Sequence, residues 1–378
     1  MNLLVGRLNR FIFLIFCLLW LVACQTSVNE TPAPSKEVLL RTETITPIST
    51  QTITKTELQN PTTINPTSSP EPSPTPATQN PTIPPADRRV ILMAVGDIML
   101  GRTIGDIIEK EGHEAPFQYV AETLNTADVA IGNLECPISD RGVAEEKTYA
   151  FRAPVNAGKS LAFGGFDVVS LANNHTLDYG PLALRDTMDI LHTNQIHSVG
   201  AGMDEVEAYS PVFVEKNGLR LAFLAYADIP PAVYDYQAWE AGPNKPGIAW
   251  AHEDRIVKGV TAAKTQADLV IVLVHNGFEF MQQVTAEQQK VARLAIDSGA
   301  SLVIGSHPHV LQRIEAYGDG LIAYSMGNFV FDNMLFPPNY SAILVVELSL
   351  NGIESYELID VIVQLNGIPQ IMPYRQYD

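Results

Sequence analysis

The chain has 378 residues, 42 acidic against 24 basic side chains and a formal net charge of −18. An acid excess of that size argues against nucleic acid as a partner, because no basic footprint is available for phosphates. The cysteines exclude a disulfide scaffold: Cys17 and Cys24 lie near the N-terminus, which leaves Cys136 without a partner in the body of the chain.

The chain opens "MNLLVGRLNRFIFLIFCLLWLVACQTS", in which Arg7 and Arg10 precede an apolar run from Phe11 to Ala23. Basic residues, a short apolar stretch and then small residues make an export signal, too short to act as a stable spanning helix. Leu21-Val-Ala-Cys24 resembles the lipobox of bacterial lipoproteins. The resemblance implies cleavage after residue 23, diacylglycerol on the Cys24 thiol, and a membrane-anchored, extracytoplasmic protein at the bacterial surface. Residues 24–88 are rich in Thr, Pro and Ser and lack aromatics. Such a segment buries too little apolar surface to offset its ordering entropy, and its prolines keep it extended. A disordered stalk is therefore expected there, followed by one large globular domain over 89–378.

The domain reads as strands alternating with helices. "RRVILMAVGD" is a buried β-branched run, residues Pro116 to Leu124 look helical, and "ADVAIGNLE" and "FDVVSLANN" are further buried strands. "GPLALRDTMDILHTN" has the apolar spacing of an amphipathic helix, and "IHSVGAG" is a short strand. "PVFVEKNGLRLAFLAYAD" is a hairpin around Asn217-Gly218. A helix ("EDRIVKGVTAAKTQ"), a strand ("ADLVIVLVHNG"), a Thr-capped helix ("TAEQQKVARLAIDSG") and a strand ("ASLVIGSHPH") follow. After that the pattern is all β, with hairpin turns at Asn351-Gly352 and Asn366-Gly367. The fold class is α/β, mixing βαβ units with an antiparallel C-terminal portion.

Several apolar runs stop at a metal-type ligand: Asp97, Glu135, the Asn173-Asn174-His175 series, His275, and His307 with His309. Ligands of open α/β sheets bind at the carboxyl ends of the strands. Carboxylates, an amide oxygen and imidazoles together suit Mn, Zn or Fe rather than Ca. Residues i and i+2 of an extended segment point the same way, and Pro308 disfavours helix before it. The expectation is that His307 and His309 face one cavity side by side from an extended strand end.

The series "GDIMLGR", "GNLE", "SLANNHTLDYG", "VHNGFE", "GSHPHVLQ" and "YSMGNFVFD" resembles the CapA-type poly-γ-glutamate capsule biosynthesis family. That family is in turn similar to calcineurin-like metallophosphoesterases. The resemblance implies a four-layer α/β/β/α sandwich, metallophosphatase-like, with a dinuclear site at the strand ends. By the resemblance Asp97 ligates the first metal, Glu135 takes the bridging position, and Asn174, His275 and His307 complete the second metal. His309 serves the first metal, and His175 is the general acid. The phosphoesterase pattern has histidine where this chain has Met99, and a thioether is a poor ligand for a hard divalent ion. One tight and one weaker metal site are therefore expected.

The implied chemistry is metal-dependent hydrolysis of a phosphoester or of an anionic polymer. The alternatives are a non-catalytic partner of polymer synthase or export proteins, and an extracellular phosphoesterase. Arg102 and Arg152 are candidate substrate-anion ligands, with Arg102 equally readable as the partner of a carboxylate. Asp178 either orients His175 as an acceptor or caps the helix that begins near Gly180, with the cap preferred; Asn328 is read as a turn residue, and Glu279 as either a support to the metals or a surface residue.

Overall fold

The computed structural model describes residues 88–230, 235–332 and 337–373. The expected export signal, Cys24 and all but the last residue of the expected stalk lie outside the described residues. Two β-sheets carry the domain, and the sequence explains both. In the first, parallel strands β1 (Arg89–Ile98), β2 (Val129–Leu134), β3 (Val168–Ser170) and β4 (His197–Val199) lie side by side. Antiparallel strands β14 (Tyr340–Ser349), β15 (Gly352–Val363) and β16 (Pro369–Ile371) extend it beyond β1. Helices α1 (Arg102–Glu111), α2 (Ala121–Leu124), α3 (Ala157–Phe163) and α4 (Gly180–Thr193) form the crossovers. The region expected to be helical from Pro116 is split, with a 3-10 turn at Ala115–Phe117 before α2.

After β5 (Ala201–Gly202) and α5 (Glu205–Tyr209), the second sheet begins with the predicted hairpin of β6 (Val212–Lys216) and β7 (Leu219–Asp228). A bridge strand β8 (Gly247–Ile248) and helix α6 (Glu253–Lys264) lead into β9 (Leu269–Asn276). Helix α7 (Ala286–Asp297) leads to β10 (Leu302–Ser306), and then come β11 (Ile314–Tyr317), β12 (Gly320–Ala323) and β13 (Asn328–Val330). Thr285 caps α7, its side chain accepting from the Gln288 N–H while Gln288 reaches back to the cap, two orphan donors satisfied at once. The sheet order is β11-β12-β10-β9-β7-β6, whereas β13 crosses to pair with β1.

Period-2 alternation in the second sheet sets the layers. Leu221, Phe223, Ile271, Leu273 and Ile304 join the core shared with the first sheet. Their neighbours Leu224, Tyr226, Val270, Val272 and Val303 pack instead with Ile256, Val260 and Val291 of α6 and α7. On the far side, Ile104, Leu161, Leu184 and Leu191 of α1, α3 and α4 join the core of the first sheet. The architecture is the expected four-layer α/β/β/α sandwich.

Its consequence is convergence. β1, β2 and β3 of one sheet and β9 and β10 of the other deliver their carboxyl ends to one place. Close backbone approach makes this possible: a Cβ built on Gly96 would lie 1.8 Å from the Gly327 carbonyl oxygen. Gly96→Ala must push β13 away from β1, so it is expected to destabilise the domain by about 1–3 kcal/mol, as overpacked core sites do. A lowered urea midpoint measures this; an unchanged midpoint would show that Gly327 withdraws without cost.

Candidate metal centre

Asp97 ends β1 and is fully buried. Its carboxylate accepts from Asn133 Nδ2 at 2.8 Å and from the His307 backbone N–H at 3.3 Å, and His309 Nδ1 lies 3.1 Å away. Burial opposes its ionisation, but the His309 hydrogen bond and charge, with His275 and Asn133, outweigh it and hold the pKa well below the usual carboxylate range.

Glu135, just past β2, is equally buried, and neither of its oxygens has a hydrogen-bond partner among the described residues. The nearest imidazole atoms, His175 Nε2 and His309 Nε2, are each 3.8 Å from Oε1. Burial and then the Asp97 charge push its pKa well above the ordinary value. Asp97, Glu135 and His309 offer ligand atoms all within 4.8 Å of one another.

The two histidines of "GSHPH" do reach this centre, but not as an extended pair. β10 stops at Ser306, and His307 and His309 take φ of +94° and +57°. These left-handed conformations each cost a non-glycine residue about 1–3 kcal/mol. Tight turns, rather than strand alternation, turn both rings to the site, with centroids 6.0 Å apart. His307 sits 4.7 Å from His275 by ring centroid, and its buried Nδ1 has no partner among the described residues. His275, in β9, has Nε2 2.8 Å from Asn174 Oδ1 and Nδ1 2.8 Å from Ser306 Oγ. Burial first, then the neighbouring imidazoles, keep His275 and His307 neutral, with His307 near pKa 3. Burial pulls His309 the other way, yet Asp97 wins and raises it. Glu279 also comes within ligand distance of His307 and His309. Glu135, expected to bridge the two metals, makes its nearest imidazole approaches to His309, on the side expected for the first metal, and to His175.

The donor set fits a divalent ion: a low-pKa carboxylate, a second carboxyl group with no hydrogen-bond partner among the described residues, and the neutral His307 imidazole with a free nitrogen. The thioether of Met99 is not part of it, since Met99 Sδ accepts from the Gly101 N–H at 3.2 Å.

His175 is held on three sides. Nδ1 is 2.7 Å from Asp178 Oδ2, its ring stacks on Phe151 at 4.1 Å, and Nε2 faces Glu135. Burial lowers its pKa to about 4 despite the opposing Asp178. Asp178 therefore does not cap α4, whose N-cap Tyr179 makes no side-chain cap bond. It orients His175, accepts from Phe151 N at 2.6 Å, and pairs with Lys147 Nζ at 2.5 Å. Asn328 is likewise more than a turn residue, because its Oδ1 lies 2.9 Å from His309 Nδ1.

Arg102 does not stand free for a substrate anion. It pairs with buried Asp332, and its guanidinium lies 4.6 Å over the Phe151 ring. Arg152 lies over Tyr179 at 4.2 Å and reaches the Arg141 carbonyl. Asn133, Lys147, Ser306 and Asp332 escaped the sequence reading. Asn133 carries a signal, as a polar residue inside the wholly buried run Val129–Leu134. Lys147 carries none, since "EEKTY" reads as a solvated loop.

The family profile described as "Bacterial capsule synthesis protein PGA_cap" matches residues 91–333, which contain every residue of this centre. The chain belongs to that family. It is 33% identical over 267 residues to the PGA biosynthesis protein CapA of Bacillus subtilis, covering 70% of this chain and 69% of that protein. It is 31% identical over 296 residues to the capsule biosynthesis protein CapA of Bacillus anthracis, covering 75% and 70%. A further relative, named as a probable polyglutamine synthesis accessory protein of Mycobacterium tuberculosis, is 30% identical over 217 residues, covering 55% and 57%.

Asp178→Asn leaves the Lys147 ammonium, whose side chain is 4% exposed, without its carboxylate. Breaking a buried pair from one side costs about 3–5 kcal/mol. Urea unfolding of the variant should show a loss of that size, and a loss below 1 kcal/mol would mean that solvent reaches the pair.

Proposed function

We propose that this chain is a lipid-anchored surface protein of capsule or poly-γ-glutamate biosynthesis whose domain is a metal-dependent, phosphatase-like hydrolase. The names of the Bacillus relatives support the pathway. The observation that carries the chemistry is Glu135: two fully buried side-chain oxygens with no hydrogen-bond partner among the described residues, beside Asp97 and His309. A buried glutamate in that condition avoids the cost of its charge by keeping a proton, in keeping with its raised pKa, and a divalent cation is the group that would take that proton's place.

Asp97, Glu135 and His309 would hold one ion, and His275, His307 and Asn174 a second. When bound, such ions supply Lewis acidity and water activation. The protein's own groups do the rest. His307 N–H and Asn133 fix the Asp97 carboxylate, and Asn328 turns His309. Asp178 holds the Nδ1 side of His175, so Nε2 is the atom that exchanges protons with substrate. The resting imidazole is neutral, so it accepts a proton before delivering one to a leaving group.

One observation favours a second reading, an accessory role beside polymer synthase or export proteins without catalysis. Met99 stands where a ligand is expected and spends its sulfur on the backbone, which leaves the first ion with fewer protein ligands.

The domain, purified without chelator, is expected to carry Mn, Zn or Fe by elemental analysis. Asp97→Ala and His307→Ala should each lower that content. His175→Ala should keep the metal and lower the hydrolysis of a phosphoester by about 10²- to 10⁴-fold. A wild-type protein without metal would remove the hydrolase reading, whereas metal without turnover would favour the accessory role. The anchor has its own test: Cys24→Ser should leave the protein uncleaved or release it from the membrane fraction, and unchanged mass and fractionation would refute lipidation.

A further inference from the structure

A cleft runs beside the centre. Two contiguous cavities of about 320 and 500 Å³ share Thr148, Tyr149, Asn174, Tyr236 and Glu279 in their walls. His175 lines one and His307 the other. The exposed rings of Tyr149, Phe278 and Phe280 stand around it, at 63%, 51% and 52% exposure. These are large apolar faces to leave in water, and they lie together at a site mouth rather than scattered.

The charges of the lining point one way. Among the described residues its carboxylates are Glu146 and Glu279, both exposed, and its only cation is Lys147. That ammonium is engaged by Asp178 and by the Asn174 carbonyl at 2.6 Å, and it lies 4.9 Å from the ring centroids of both Tyr236 and Trp239. Arg102 is paired with Asp332. Away from the ions proposed for the centre, a γ-linked glutamate chain, with a carboxylate on every residue, would meet like charge along this wall and no basic track among the described residues. An organic ammonium meets the opposite: ring faces that attract cations, reinforced by two carboxylates. Lys147 already shows one ring of this wall, Tyr236, with an ammonium over it. The buried, unpartnered Nδ1 of His307 marks the end of the cleft where a ligand joins the centre.

We propose that this cleft binds an organic ammonium group carried by the substrate, and so selects an ammonium-bearing ester over a bare polyanion. The assignment rests on the reading of the centre as a hydrolase, because it names the group that lies beside the reacting ester. Tyr149, Phe278 and Phe280 supply the ring faces, and Glu146 and Glu279 the charge.

Titration calorimetry on the full-length protein separates the parts. The probes are choline, phosphocholine, inorganic phosphate and an N-acetylated γ-linked tetraglutamate. Choline is expected to bind, and phosphocholine to bind about 2- to 30-fold more tightly than phosphate, the usual worth of a cation over aromatic faces. The double variant Tyr149→Ala with Glu146→Gln, both at exposed positions, should weaken choline binding by about tenfold or more. Its metal content, measured on the same samples, should not change. The proposal is overturned if choline does not bind, if the double variant binds it equally well, or if the acetylated tetraglutamate binds more tightly than phosphocholine. Choline binding by a protein that proves metal-free would support the cleft assignment while sinking the hydrolase reading.

Discussion

The Asp97 carboxylate is the point on which the rest of this structure depends. It is fully buried where the two sheets meet, and a buried charge is tolerated only when paired and hydrogen-bonded. Each of its partners comes from a different element: Asn133 from β2, the His307 backbone from the end of β10, and His309 from the turn beyond. The hydrogen bond from His307 N–H ties one sheet to the other at the site. To satisfy Asp97 the chain must bring both sheets, two crossovers and the left-handed turn at His307 into register together. Stability and site geometry are therefore one constraint here.

Around that anchor the centre is organised by contrast. Asp97 is over-supplied with donors, while Glu135, within reach of the same histidine, has none for either oxygen. Proteins seldom leave both oxygens of a buried carboxylate unpaired, and they seldom place two non-glycine residues one apart at positive φ. Both features carry a folding cost, and they occur within one cluster. Strain and unpaired polarity concentrated in one place suit a candidate cation site, where an ion would restore the balance. The supporting groups fit this account. Asp178, Lys147 and Phe151 immobilise His175 without joining the ligand set, and Arg102 with Asp332 braces Phe151 from behind.

Secondary structure was legible where local chemistry decides it. Asn217-Gly218 and Asn366-Gly367 each lie in a hairpin turn, Thr285 opens its helix, and the β14–β15 hairpin turns one residue earlier than expected, at Leu350-Asn351, with Gly352 already paired to Ser349. The wholly buried strands announced themselves as β-branched runs. The misreadings cluster where one residue must choose between local and distant partners. Asp178 stands before a helix and looked like its cap, yet its carboxylate turns to a lysine and a histidine brought in by folding. Arg102 follows the first motif and was readable as an anion ligand or as the partner of a carboxylate, and it is Asp332, far along the chain and buried, that holds it.

By itself, then, the sequence determined the alternation of strands and helices, the family motifs, and which strand ends carry ligand-type side chains, because these depend on period and on local turn chemistry. Tertiary structure alone decided how those side chains meet. The pairing of β13 with β1 placed Asn328 against His309, the turn at Pro308 bent both histidines out of the strand, and Lys147 found Asp178 across a loop. The physical reason is distance along the chain. Periodicity reports which face of an element is buried, but a contact between residues far apart in sequence is fixed by sheet register and close backbone approach, and neither leaves a local trace.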